Sequence, residues 1–156
     1  MSRGLDFVEL SDHNVTSQLS LIGPVQDDFP ELLILPGAEI TTYAGHANGI
    51  GLTSPVAFTM GYDGVTIDGI AAAVADAGAL LSINHPVLDL GDACIGCAWE
   101  NAVPEELAAI EIATGGWDAA GQLFDEAAIA YWDALLDEGY HLAAVGGSDE
   151  IGRAHV

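Results

Sequence analysis

The sequence predicts an α/β fold, and three observations predict it. Short apolar runs rich in β-branched residues alternate with longer segments of helical period. Glycines stand where those helical segments should stop. Almost every strand-like run ends in a polar residue of the kind that gathers at one end of a parallel sheet.

The elements follow in order. Leu5 to Leu10 is a short β-preferring run that ends at Ser11-Asp12-His13. Leu32 to Leu35 is a second strand, and Ala38 to Thr42 continues it after Pro36-Gly37. Asn48 to Leu52 is a third, short and glycine-rich. Thr66 to Ala77 fits a helix, with Ile67, Ile70, Val74 and Ala77 at helical spacing and Thr66 or Asp63 as the cap. Gly78 occupies the position just past its end. Ala79 to Ile83 is the fourth strand, ending at Asn84-His85-Pro86. Residues 87–104 read as a long loop punctuated by Gly and Pro. Leu107 to Ala113 is a further strand, ending at Thr114-Gly115-Gly116. Leu123 to Asp137 is helical, with Phe124, Ala128, Tyr131, Leu135 and Leu136 on its apolar face and Gly139 as its stop. His141 to Val145 is the last strand, ending at Gly146-Gly147-Ser148-Asp149. There is no repeat and no low-complexity segment. This is βαβ-type patterning with irregular connections.

Composition bounds the function. The 156 residues suffice for one domain with a core. There is no Lys, the only Arg residues are Arg3 and Arg153, and 24 Asp and Glu leave a net charge of −22. A surface that tracks nucleic-acid phosphates needs clustered Lys and Arg, so nucleic acid is excluded as a partner. Attraction to anionic membranes is disfavoured too. No apolar run nears the roughly 20 residues of a membrane span. Arg3 and Asp6 flank no apolar stretch of a secretory signal, and the compartment stays open. The acidity reads first as solubility and an acidic or salt-adapted source, and second as attraction of cations. Cys94 and Cys97 form one CxxC. A structural zinc site wants a second pair or histidines at suitable spacing, and a thioredoxin-like motif wants a helix, whereas Gly91 to Cys97 reads as loop. A local staple or two loop thiols is the plainer reading.

The strand ends carry the chemistry. The first ends at His13, the second at Glu39, the fourth at His85 and the last at Asp149, while His46 lies just before the third. A lone histidine is more often structural than a ligand. Joint placement at converging strand ends is what makes these five candidates. Three imidazoles and two carboxylates suit borderline divalent metals. Glu39 could bridge two such ions, which act as a pair when about 3.5–4 Å apart. Asp12 and Asn84 adjoin ligands and could orient them, or simply end strands with turn-favouring groups. His141, at the start of its strand, is expected at the opposite end in a structural role. Glu111 reads as a structural or barrel-lining acid, and Asn48 as a support for the loop carrying His46.

Gly4-Leu5-Asp6-Phe7-Val8-Glu9-Leu10-Ser11-Asp12-His13-Asn14 resembles the second motif of the PHP family, named for polymerase and histidinol phosphatase. Pro36-Gly37-Ala38-Glu39-Ile40-Thr41-Thr42 resembles its glutamate motif, and Gly45-His46-Ala47-Asn48, Ile83-Asn84-His85-Pro86 and Gly147-Ser148-Asp149 follow in family order. The combination is most similar to the carbaryl-hydrolase-like branch. The resemblance implies a distorted (β/α)7 barrel holding two or three Zn, Mn or Fe ions, with His13, Glu39, His46, His85 and Asp149 as metal ligands. It implies a metal-dependent hydrolase of small-molecule esters, chiefly a phosphoesterase using a metal-activated hydroxide. Asp149 would serve catalysis directly, with Asp12 and Asn84 supporting it. The alternatives are carbamate or amide ester hydrolysis, or a metal- or substrate-binding module without catalysis. No GxGxxG, phosphate loop or GxSxG supports a different chemistry.

Two family features are missing. The His-x-His of the first family strand would lie before Met1, and the final Asp-x-His is replaced by Asp149-Glu150-Ile151, with His155 four residues too late. Glu150 to Val156 can be encoded by bases that match a common sequencing adapter running into a stop codon. Residues 150–156 are therefore expected to be a non-native tail. Residues 1–149 are then a partial barrel domain, incomplete at both ends, for which low turnover is expected.

Overall fold

The computed structural model describes residues 4–115 and 121–149. The expected tail, 150–156, lies outside the described residues, as does Gly116. Within them lie six strands and three α-helices: β1 (Phe7–Leu10), α1 (Leu19–Asp28), β2 (Leu33–Thr42), β3 (Gly45–Ile50), α2 (Ile67–Asp76), β4 (Leu80–Ile83), β5 (Leu107–Thr114), α3 (Gly121–Asp137) and β6 (Ala143–Gly147). The strands form one mixed sheet in chain order, β1 to β6.

The α/β class is as expected, but the sheet is not all parallel. β1 pairs with β2, β4 with β5, and β5 with β6 in parallel, while β3 is antiparallel to both β2 and β4. The cause is local. Only Tyr43 and Ala44 separate β2 from β3, and so short a connection can only make a hairpin. The Thr42 hydroxyl closes the turn, donating to Gly45 O at 2.8 Å and accepting from Ala44 N at 3.1 Å. The third strand therefore starts three residues earlier than Asn48 and contains His46. β2 runs unbroken through Pro36-Gly37 because it changes partners there. Leu33 to Pro36 face β1, and Gly37 to Thr42 face β3. The last strand begins at Ala143, which leaves His141 outside it and exposed.

Helix α2 matches its sequence signals. Thr66 is extended and its hydroxyl accepts from Gly69 N at 3.1 Å. Ile70, Ala71 and Val74 are buried, and Gly78 takes φ +74 at the stop. Helix α3 buries Ala128 and Leu135, and Asp125 from the same helix accepts from Thr114 N at 3.2 Å. Helix α1 was not anticipated. It contains Pro24 and buries none of its own residues, packing on β2 through partly buried positions.

The core lies between the sheet and α2 and α3: Ile40, Leu52, Ile70, Val74, Leu81, Ile83, Ile110 and Leu135. The two outer strands, β1 and β6, have a partner on one side only among the described residues. The sheet nevertheless curls. Six strands laid flat would separate β1 from β6 by five gaps of about 4.8 Å, about 24 Å in all. Ligand-type atoms of His13, just past β1, and Asp149, just past β6, instead lie within 4.8 Å of each other. The result is a curled half-barrel whose strand ends close on one point. Among the described residues, no helix is long and apolar enough to cross a membrane.

Candidate metal centre

That point is Glu39. It sits in mid-β2, buried, where His13 pairs with it as an isolated parallel bridge continuing the β1–β2 alignment. Glu39 N donates to Asp12 O at 3.1 Å, and Asn14 N donates to Glu39 O at 2.8 Å. Three imidazoles surround the carboxylate. His13 Nε2 lies 3.3 Å from Oε2, His46 Nδ1 lies 3.3 Å from Oε1, and His85 Nε2 lies 3.6 Å from Oε1. His46 reaches this end because its strand is antiparallel, and such a strand starts where its parallel neighbours stop.

The surrounding chain fixes these groups. His85 Nδ1 donates to Cys97 O at 2.9 Å, which leaves Nε2 facing Glu39. His13 Nδ1 bonds the Thr41 hydroxyl, leaving its Nε2 on the Glu39 side. The Asn84 amide donates to both Glu39 Oε1 and Asn48 Oδ1 at 3.1 Å. Asn48 in turn donates to Glu9 Oε2 at 3.2 Å. Asn84 thus orients Glu39 directly. Asp12 touches it only through a backbone carbonyl and is itself exposed. Asn48 lies on β3 itself, bridging Glu9 and Asn84, rather than bracing a loop. His85 N donates to Glu111 Oε2 at 2.7 Å. Asn14, His85 and Asp149 all hold positive φ without being glycine, a backbone cost concentrated at this end of the sheet.

Electrostatics follow from burial among these partners. Burial by itself would raise the Glu39 carboxyl. The His46 and His85 rings, the charge on His13 and the Asn84 amide outweigh it and hold Glu39 well below the usual carboxylate range. For His85, burial favours the neutral ring, but Glu39 and then the Cys97 carbonyl and Glu111 raise it overall. Glu9 goes the other way. Burial pushes it up to about 7, the Asn48 amide only partly opposing this and Glu39 adding to it. Burial likewise raises Glu111.

The five residues expected from sequence meet here. His13, Glu39 and Asp149 form one group that could hold an ion, and His46, His85 and Cys97 form another. The donor set fits a divalent ion. His46 is 5% exposed, yet neither ring nitrogen makes a hydrogen bond, and its 3.3 Å approach to Glu39 lacks the geometry for one. A buried imidazole left this way is poised to donate a lone pair to a cation. Sequence reasoning passed over Glu9, Thr41 and Cys97. Cys94 and Cys97 are joined as a disulfide, the local staple that is one of the two readings left open for them. Glu9 carried one usable signal: an acid flanked by apolar residues in a strand.

Fold and site together define a mixed α/β half-barrel with a histidine–carboxylate cluster at its strand ends. No family model matches the chain, and no curated protein matches it. Among solved structures it is similar to a two-domain protein from Bacteroides vulgatus containing a predicted PHP-like metal-dependent phosphoesterase. The two share 20% identity at a TM-score of 0.57, over 89% of this chain and 42% of that one. That likeness speaks for the fold, which is compatible with a partial PHP-like barrel. The chain spans less than half the length of that neighbour.

Proposed function

We propose that this chain carries the centre of a divalent-metal-dependent hydrolase acting on small-molecule phosphoesters. The observation that carries the reading is the approach of three imidazoles to one buried carboxylate, Glu39, within 3.3–3.6 Å. His13, Glu39, His46, His85 and Asp149 would hold two or three ions of the Zn, Mn or Fe kind, and the complete fold would be the seven-stranded PHP barrel. Such ions supply an activated water and neutralise charge that builds on the ester. The chain's own residues do the rest. Glu39 stays ionised beside the imidazoles, Asn84 fixes one of its oxygens, and the Cys97 carbonyl keeps His85 Nε2 inward. Asp149, exposed and grouped with His13 and Glu39, would meet an incoming substrate. The carbaryl-hydrolase-like motif order makes carbamate esters the second substrate class.

The test is metal analysis of the full chain after loading with Zn or Mn, followed by a screen of aryl phosphoesters against aryl carbamates. The expected result is ion retention by the wild type, its loss in His85→Ala, and any turnover greater on the phosphoester. Equal retention by both proteins would sink the proposal. Retention without turnover on either class would leave a binding module.

A further inference from the structure

We propose that Cys97 is a redox-controlled ligand of this centre: once the Cys94–Cys97 disulfide is reduced, its thiolate joins His46 and His85 to hold a zinc-class ion. The proposal rests on reading the cluster as a metal centre and adds a ligand and a switch to it.

The sulfur is already in place. Cys97 Sγ and one ring nitrogen each of His46 and His85 all lie within 4.8 Å of one another, and all three residues are buried. Both His46 ring nitrogens are buried without a hydrogen bond. In the disulfide, neither sulfur carries the charge that makes cysteine a metal ligand. A thiolate is a soft donor that, with imidazole, selects zinc-like ions.

The position of Cys97 does not depend on the disulfide. Gly96 takes φ +78 with its Cα against Thr42 O and the Tyr43 backbone, so closely that a Cβ would overlap them. Trp99 N donates to Pro86 O and Glu100 N to Ala44 O, both at 2.9 Å, and Asn101 Nδ2 donates to Ala44 O at 2.7 Å. With the His85 bond to Cys97 O, the segment is tied to both the β2–β3 turn and the strand-four end. Reduction should therefore leave the sulfur beside the histidines.

The two sulfurs also differ in access. Cys97 is 3% exposed, whereas Cys94 is half-buried. A small dithiol attacks Cys94 Sγ and Cys97 leaves as the thiolate. The dithiol closes to its own disulfide as it releases Cys94. Two electrons pass to the protein, and its two sulfurs end as thiols after taking up two protons. When an ion binds, Cys97 gives its proton to solvent.

The test uses cobalt(II) alone as the probe on the full chain, oxidised or reduced with a dithiol that is then removed. Ligand-field bands in the visible report occupation of the centre. A thiolate-to-cobalt charge-transfer band in the near ultraviolet reports sulfur ligation. The band is expected only after reduction in the wild type, without any reductant in Cys94→Ser, and never in Cys97→Ser. Cobalt bound with ligand-field bands but no sulfur band in reduced wild type and Cys94→Ser overturns this inference and leaves the metal centre standing. A sulfur band persisting in Cys97→Ser overturns it as well. No cobalt retained in any state overturns the metal-centre reading and this inference with it.

Discussion

The backbone N–H of His85 donates to Glu111 Oε2 at 2.7 Å, tying the second residue past β4 to the middle of β5. The bond holds His85 at φ +28, a conformation that costs on the order of 1–3 kcal/mol outside glycine. An added Cβ at Gly147 would collide with the same carboxylate, so β6 leaves space for it. Glu111→Ala should strand a buried N–H and lower the unfolding free energy by about 1–3 kcal/mol. It should also weaken ion binding, because His85 loses its anchor. Denaturant midpoints and metal titrations of Glu111→Ala beside Glu111→Gln check this. A Gln that behaves like wild type in both shows that an acceptor, rather than a charge, is what His85 needs.

Removing the charge of Glu39 separates its two roles. Glu39→Gln keeps an acceptor for Asn84 but takes the anion from among the imidazoles, so ion retention should be lost. The metal-free protein carries a pH signature as well. Glu39 is held below its ordinary value of 4.5, so the folded chain keeps it ionised where the unfolded chain has taken up a proton. That stability is present above about pH 4.5 and is lost as the pH falls below it. Metal-free Glu39→Gln should lose less stability than wild type on acidification below that point. Thermal melts across the acid range decide it, and parallel curves would refute the assignment.

Glu9 should show the opposite slope. Its carboxyl is raised from 4.5 to about 7 by burial, so the folded chain holds a proton there that the unfolded chain has released. Its contribution to stability therefore falls as the pH rises from about 4.5 to about 7 and is flat above. Glu9→Gln, which stays neutral and can still accept from Asn48, should gain stability relative to wild type across that window. Melting temperatures of the metal-free pair at several pH values measure it. A constant difference between the two proteins would mean that Glu9 titrates normally.

How much of this was legible in the sequence depended on whether the signal was local. His13 and His85 follow apolar runs that stop just before them, and their placement needed only the strand period. His46 was placed before a strand that in fact contains it. Gly45-His46-Ala47-Asn48-Gly49-Ile50 has little β-branched character, and the Tyr43-Ala44 turn has none of the Asn or Gly that announces a hairpin. The convergence survived because an antiparallel strand begins at the end where parallel ones finish. Helix α1 was hidden by Gly23-Pro24 at its centre, residues that read as a break. The place of Cys97 beside His46 and His85 could not be read at all. It is set by bonds from the 97–101 segment to Ala44, His85 and Pro86, contacts with no period along the chain.

Gly37 and Glu9 are coupled through space. A Cβ at Gly37 would occupy the position of the Glu9 carboxylate, so β2 needs a glycine there for steric reasons. Gly37 has no positive φ among the described glycines, so chain flexibility is not the explanation. Gly37→Ala alone should displace Glu9, break the bond from Asn48, and cost about 1–3 kcal/mol, the usual scale of overpacking. In a Glu9→Ala background the same substitution meets open space and should cost far less. The double-mutant cycle on the metal-free protein then yields a coupling energy of at least about 0.5 kcal/mol. Additive effects would mean that the strand absorbs the methyl by shifting. In that case Ala38 and Glu39 must move too, and Gly37→Ala should weaken ion retention even where Glu9 is absent.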